Sequence, residues 1–106
     1  MVEIQLSSRA EFEKSIEKGV GLVDFNAPWC APCRAMEPVI GKLADAYEGR
    51  AFILKVNIDE NLEIALHLGI QSIPTIIIFK EGIERSRFVG LQGADTLGRA
   101  LENVMA

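Results

Sequence analysis

Cys30 and Cys33 are the only cysteines of the chain, separated by Ala31 and Pro32 and preceded by the only tryptophan, Trp29. Two thiols this close can form a redox disulfide, supply half of a metal site, or act as a staple. A staple between residues three apart closes a tiny loop and constrains little of the unfolded chain. A zinc site needs about four ligands, and the chain adds one histidine, His67. His67 falls among apolar residues on an expected helix and reads as a partly exposed helical residue. A cluster bridging two chains, with two cysteines from each, is a further arrangement. The redox reading requires a scaffold that makes the two sulfurs unequal.

The flanking residues supply one. "LVDF" (Leu22 to Phe25) is a short apolar run with the character of a strand covered on both faces. A long helical stretch follows the cysteines, with Met36, Val39, Ile40, Leu43, Ala44 and Tyr47 on its apolar face and Gly49 at its end. Pro32 suits a first helical turn, where its missing N–H costs nothing. Cys30 then sits near the N-cap and Cys33 one turn inside. Helical residues three apart are neighbours, so the pair can close and open with little backbone movement. Free N–H groups and the partial positive charge of a helix N-terminus favour a thiolate on Cys30. Cys30 is expected to be the accessible attacker and Cys33 the sheltered resolver. Pro38, inside the same stretch, is expected to kink the helix without ending it.

The remaining pattern alternates between strand and helix. "VEIQL" (Val2 to Leu6) reads as an edge strand. Ser8 and Glu11 have capping-box spacing ahead of Phe12, Ile16 and Val20 at helical intervals, with Gly19 and Gly21 bracketing the helix end. "FILKVNI" (Phe52 to Ile58) is a strand. Asp59 or Asn61 can cap a short helix carrying Ile64, Ala65 and Leu68 and closed by Gly69. "TIIIF" (Thr75 to Phe79) and "IERSRFV" (Ile83 to Val89) flank a Glu81-Gly82 turn, and Leu97, Ala100, Leu101 and Val104 define a terminal amphipathic helix. The order β-α-β-α-β-α-β-β-α predicts a mixed sheet between helices, with parallel neighbours across the helical crossovers and one antiparallel hairpin.

Composition narrows the function classes. A chain of 106 residues with 49% hydrophobic and 25% charged residues has the makeup of one soluble globular domain, spanning 1–106. Its longest apolar run, Ile73 to Phe79, is strand length rather than the ~20 residues of a membrane helix. Fifteen acidic residues against 11 basic ones give a net charge of −4, and no short window holds more than two Lys or Arg, which speaks against nucleic-acid binding. The N-terminus shows no basic region followed by an apolar one, and two cysteines are too few for a disulfide-built secreted scaffold. A cytosolic setting is expected. There, a close cysteine pair more often reads as catalytic or metal-binding than as structural.

"LVDFNAPWCAPCRAMEP", "VNID", "SIPTIIIFKEG" and "FVG" occur in this order across essentially the whole chain. Together they resemble the thioredoxin family, here a small single-domain member with a WCAPC site. The resemblance implies an α/β three-layer sandwich: a central mixed five-stranded sheet flanked by about four helices. It implies protein-disulfide reduction by dithiol–disulfide exchange, with Cys30 as nucleophile, Cys33 as resolving thiol and a Cys30–Cys33 disulfide as the oxidised form. No cofactor is implied. Reducing equivalents would come from a thioredoxin reductase, and the partners would be that reductase and disulfide-containing proteins, met by a monomer.

The resemblance also assigns roles beyond the cysteines. A carboxylate in a buried strand is costly unless paired or protonated, and Asp24 could be satisfied by backbone N–H groups at a strand end. The family match instead makes Asp24 a buried acid of raised pKa that takes the Cys33 proton, with Lys55 as its partner. Without that match, Lys55 reads as a solvent-facing strand lysine. Pro74 is implied to be a cis-proline that turns the Ile73 backbone toward a bound substrate strand. Trp29, Ala31, Pro32, Ile73, Thr75 and Gly90 are implied to form the substrate-binding surface around Cys30. Two positions depart from the family: Ala31 stands where glycine is usual, and Asn26 where an aromatic residue is common. Ala31 should stiffen the turn; Asn26 should loosen packing of the loop or change access to Asp24. The same scaffold could also serve as an oxidant or isomerase, or as a non-enzymatic binding subunit.

Overall fold

The alternating pattern folds into one mixed sheet with helices on both faces, in a computed structural model that describes the backbone of residues 2–4 and the whole of residues 9–106. The elements are β1 (Val2–Ile4), α1 (Arg9–Ile16), β2 (Val20–Asn26), α2 (Ala31–Ala35), α3 (Glu37–Ala46), β3 (Phe52–Asn57), α4 (Leu62–Leu68), β4 (Thr75–Lys80), β5 (Ile83–Val89) and α5 (Ala94–Met105). Ser8, expected to cap α1, and Gln5 and Leu6 of the expected first strand lie outside the described residues.

The sheet has five strands in the order β1-β3-β2-β4-β5. β1 and β2 pair parallel with β3, while β4 is antiparallel to both β2 and β5. The expectation of parallel neighbours across every helical crossover therefore fails at α4. β4 lies antiparallel along β2, a register that puts Ile76 and Ile78 in one core cluster with Leu22 and Ile77 and Phe79 in the other with Val23 and Phe25. The chain instead re-enters the sheet at the end it left, with Thr75 beside Phe25.

β2 is central and covered on both sides, which is why its sequence is apolar without a polar face. Leu22 packs with Ile76 and Ile78 against Ile40 and Leu43 of α3 and Leu97 and Leu101 of α5. Val23 and Phe25 point the other way, into a cluster with Phe12, Ile64, Ile77 and Phe79. By the two-residue period, Asp24 shares the Leu22 face, under α2 and α3. It is the one acid in this buried run.

Two boundaries differ from the sequence reading. Val20 and Gly21 belong to β2, not to the end of α1. Gly21 is needed there because the Phe52 ring of β3 occupies the space that a Cβ would take. The long helix is split at Met36 into α2 and α3, with Pro38 in the first turn of α3. Pro38 has no N–H for the Arg34 carbonyl, so the column breaks one turn before it. Met36 bridges the break, donating to Pro32 and accepting from Ile40. Counted as one kinked helix, α2 and α3 bring the helices to four among the described residues. The β4–β5 hairpin turns through Glu81 (φ 52°) and Gly82 (φ 80°), two positive φ values that suit the twist of a two-residue hairpin.

Candidate active site

β2 ends at Asn26, and the next residues turn into α2. Cys30 is the N-cap of α2 in extended conformation, and Pro32 lies in its first turn. Cys30 and Cys33 are joined by a disulfide, with their Cα atoms 5.2 Å apart. The Cys33 N–H donates to Cys30 Sγ at 3.2 Å. Arg34 fastens the loop from the other side, its Nη1 donating to the Pro28 carbonyl at 2.7 Å.

The sulfurs are less different in exposure than expected. Cys30 is 5% exposed and Cys33 4%. In the closed disulfide Cys30 Sγ is tucked against its partner and lies 3.8 Å from the Ile73 carbonyl oxygen. The asymmetry lies in what surrounds each one. Cys30 receives the Cys33 N–H and faces the Ile73 backbone. Cys33 lines a cavity of about 280 Å³ that also reaches Asp24, Asn26, Glu37, Lys55 and Asn57.

Asp24 is 1% exposed. Its Oδ2 accepts from Asn26 Nδ2 at 3.3 Å, and its Oδ1 is buried without a hydrogen-bond partner. The backbone-satisfied alternative is therefore not what forms. Burial pushes the carboxyl from its ordinary 3.8 up to about 6; the Asn26 hydrogen bond and the positive charge of Lys55 oppose that rise, and Glu37 adds to it. Lys55 stands beside Asp24 in the β2–β3 register. It acts on Asp24 through its field, since no Asp24–Lys55 ion pair forms among the described residues.

The Ile73–Pro74 peptide is cis. Gly90 donates its N–H to the Pro74 carbonyl at 2.9 Å, which brings the end of β5 beside the cysteines. Trp29 is 66% exposed, and Ala31 and Pro32 are exposed with it, while Ile73 and Gly90 are half-buried. Thr75 departs from its expected surface role: it is buried, and its hydroxyl donates to the Ser72 carbonyl at 2.5 Å, because β4 lies between β2 and β5 and is buried along nearly its whole length. Pro74 is likewise buried.

Sequence reasoning missed several neighbours. Asp59, read only as a helix cap, accepts from Trp29 Nε1 at 2.8 Å and so orients the indole. Asn61 takes the N-cap position of α4 but donates its side chain to the Asn57 carbonyl instead of capping. Val89 and Leu91, exposed on either side of Gly90, extend the apolar rim. The signal for Asp59 was its place just past the end of β3, which local spacing alone does not weigh; Asn26, expected to loosen the loop or change access to Asp24, instead donates a hydrogen bond to the Asp24 carboxyl. His67 is exposed, 3.3 Å from Arg9 Nη1 through its Nδ1. Among the described residues no group of three or more His, Cys, Asp or Glu side chains could hold a metal ion, and no helix is long and apolar enough to cross a membrane.

Comparison with known proteins agrees with this geometry. The thioredoxin family profile matches residues 3–103. The thioredoxin of Staphylococcus aureus strain Mu50 is 45% identical over 93 residues, covering 88% of this chain and 89% of that protein. Among solved structures, a point mutant of the Halobacterium salinarum NRC-1 thioredoxin superposes with a TM-score of 0.87 at 32% identity, covering 99% of this chain and 90% of that one. The Malassezia sympodialis thioredoxin gives 0.85 at 32% identity, covering 100% and 91%. A match of this extent, over a fold that closes the family's two cysteines into a disulfide, means that the chain belongs to the thioredoxin family and is a thiol–disulfide oxidoreductase.

Proposed function

We propose that the chain works in the reducing direction, as a protein-disulfide reductase of the cytosol. In its dithiol form the Cys30 thiolate attacks a substrate disulfide; one substrate sulfur leaves as a thiolate and a Cys30–substrate disulfide forms. Cys33 passes its proton to Asp24 and attacks Cys30 Sγ. The second substrate sulfur leaves, and the Cys30–Cys33 disulfide remains. Two electrons have moved to the substrate, and a thioredoxin reductase supplies two more to restore the dithiol of the chain. Rates follow thiolate fraction, leaving-group pKa and access.

The observation that carries the exchange mechanism is Asp24, a buried carboxyl with one unpartnered oxygen, in the same cavity as Cys33. An acid held near neutrality there suits a base that takes a proton during the second step. Lys55 keeps the carboxylate accessible at neutral pH. Trp29, Ala31, Pro32, Ile73 and Gly90 form the face that meets substrate proteins, and Pro74 shapes it from beneath. Thr75 supports that loop through Ser72. The chain acts as a monomer with no resident cofactor; neither nucleic acid nor a membrane is among its partners.

The equilibrium potential of the Cys30/Cys33 pair tests the direction. Thioredoxins as a family sit near about −270 mV and protein disulfide isomerase near about −180 mV, so the two differ by about a thousandfold in equilibrium constant. Equilibration with glutathione redox buffers is expected to place the pair close to the family's reductase value. A potential at or above the isomerase value would reassign the chain as an oxidant or isomerase.

A further inference from the structure

The side chain of Asn26 takes no part in the exchange of sulfurs, yet it is the only group hydrogen-bonded to the Asp24 carboxyl among the described residues. Its Nδ2 lies 3.3 Å from Asp24 Oδ2 and also 3.3 Å from the Asp24 backbone carbonyl oxygen. One amide thus engages a side-chain oxygen and the main chain of the same residue. The backbone of Asn26 is itself held, its carbonyl accepting from Ile58 N–H at 2.9 Å. Asn26 is half-buried at the end of β2, two residues beyond Asp24, and so lies on the same face of the strand. It lines the cavity together with Asp24 and Cys33.

We propose that Asn26 is a positioning residue for proton transfer: it clamps Asp24 by Oδ2 and leaves Oδ1 as the oxygen that receives the Cys33 proton. This deepens the reading of Asp24 as proton acceptor and rests on it. The amide donates one hydrogen to a carboxylate oxygen and so favours the ionised, proton-accepting form. It also restrains rotation of the carboxyl about its terminal bond, which is broad for an unrestrained aspartate. The other charged groups lining the cavity are Arg34 from α2, Glu37 from α3 and Lys55 from β3; β4 contributes none, since Asp24 pairs there with Ile76. Lys55 pulls in the same direction as Asn26, and Glu37 opposes both. Among the described residues only Asn26 hydrogen-bonds to the carboxyl, and it does so at one of the two oxygens.

The test uses the full reduced chain and does not depend on turnover. Carbon-detected NMR of the Asp24 carboxyl is followed against pH in wild type, Asn26→Leu and Asn26→Ala. Both variants are expected to titrate about one unit higher than wild type, a tenfold lower ionised fraction on the acid side. The step that resolves the mixed disulfide at pH 6, close to the wild-type midpoint of about 6, should slow by roughly fivefold, with mixed-disulfide formation unchanged. In wild type itself, the Asn26 side-chain amide resonances should titrate with the Asp24 midpoint, a reading that survives even if the variants misfold. An Asp24 midpoint unchanged in the variants, or amide resonances that ignore Asp24, overturns the clamp. Resolution at the wild-type rate in Asp24→Asn overturns instead the proton-acceptor reading on which it rests.

Discussion

Cys30→Ser lowers reduction of protein disulfides by about 10³-fold or more, because a serine hydroxyl supplies no thiolate near neutral pH. Cys33→Ser also stops turnover, but at a different point. Its Cys30 still attacks, and nothing resolves the product, so a Cys30–substrate disulfide accumulates. The geometry makes the pair unequal in this way. Cys30 has the Cys33 N–H aimed at its sulfur, which favours the ionised thiol when the bond opens. It also lies beside the Ile73 carbonyl and the exposed Trp29. Cys33 is buried in the first turns of the kinked helix and lines the Asp24 cavity. Non-reducing electrophoresis with mass spectrometry reads the result: near-stoichiometric adducts with Cys33→Ser, and essentially none with Cys30→Ser. Equal trapping by both variants contradicts the assignment of roles.

Asp24→Asn is expected to make the oxidised chain more stable at neutral pH while slowing the second chemical step. The folded-state pKa of about 6 lies above the ordinary 3.8, with burial as the main cause. The folded form therefore holds its proton more tightly than the unfolded one. The resulting stabilisation is complete below about pH 4 and is lost as pH rises through about 6. A shift of about two units corresponds to on the order of 3 kcal/mol between those limits. Asparagine has no proton to lose in this range, and its side-chain oxygen can still accept from Asn26. Urea unfolding of both oxidised proteins from pH 4 to pH 8 checks this. The stability advantage of Asp24→Asn should widen by about that amount across the range. Parallel curves would mean that Asp24 titrates normally. The same variant thus reads both the stability cost of the buried acid and its effect on the second step.

How much of this was legible in the sequence depended on whether the cause was local. The strand at Leu22 to Phe25 was readable because double coverage leaves a continuous apolar run, and Asp24 stood out in it. The hairpin was readable because Glu81-Gly82 carries its own turn chemistry. Val20 and Gly21 were misplaced because helical spacing from Ile16 happened to continue, while what makes them strand is pairing with Lys80 and Phe79 of β4 and, for Gly21, Phe52 of β3, all distant in sequence. The antiparallel entry of β4 rests on its pairing with β2, a contact distant in sequence that the pattern of apolar residues does not encode. At the site, residue types identified the two thiols and the acid. Their exposures did not follow, since the burial of Cys30 depends on Ile73 from another element. The contacts of Asp59 with Trp29 and of Asn26 with Asp24 need coordinates, because either side chain could equally have faced water.

Above all, the Cys30–Cys33 pair is held to pass electrons from the chain to protein disulfides. The most direct measurement is reduction of an unrelated disulfide-containing protein by the pre-reduced chain, with a free dithiol at equal thiol concentration as the reference. The expected rate is at least about a hundredfold above the dithiol at pH 7, from the favoured thiolate and the docking face together. One substrate disulfide should be reduced for each Cys30–Cys33 disulfide formed. A rate no higher than that of the free dithiol would contradict this role.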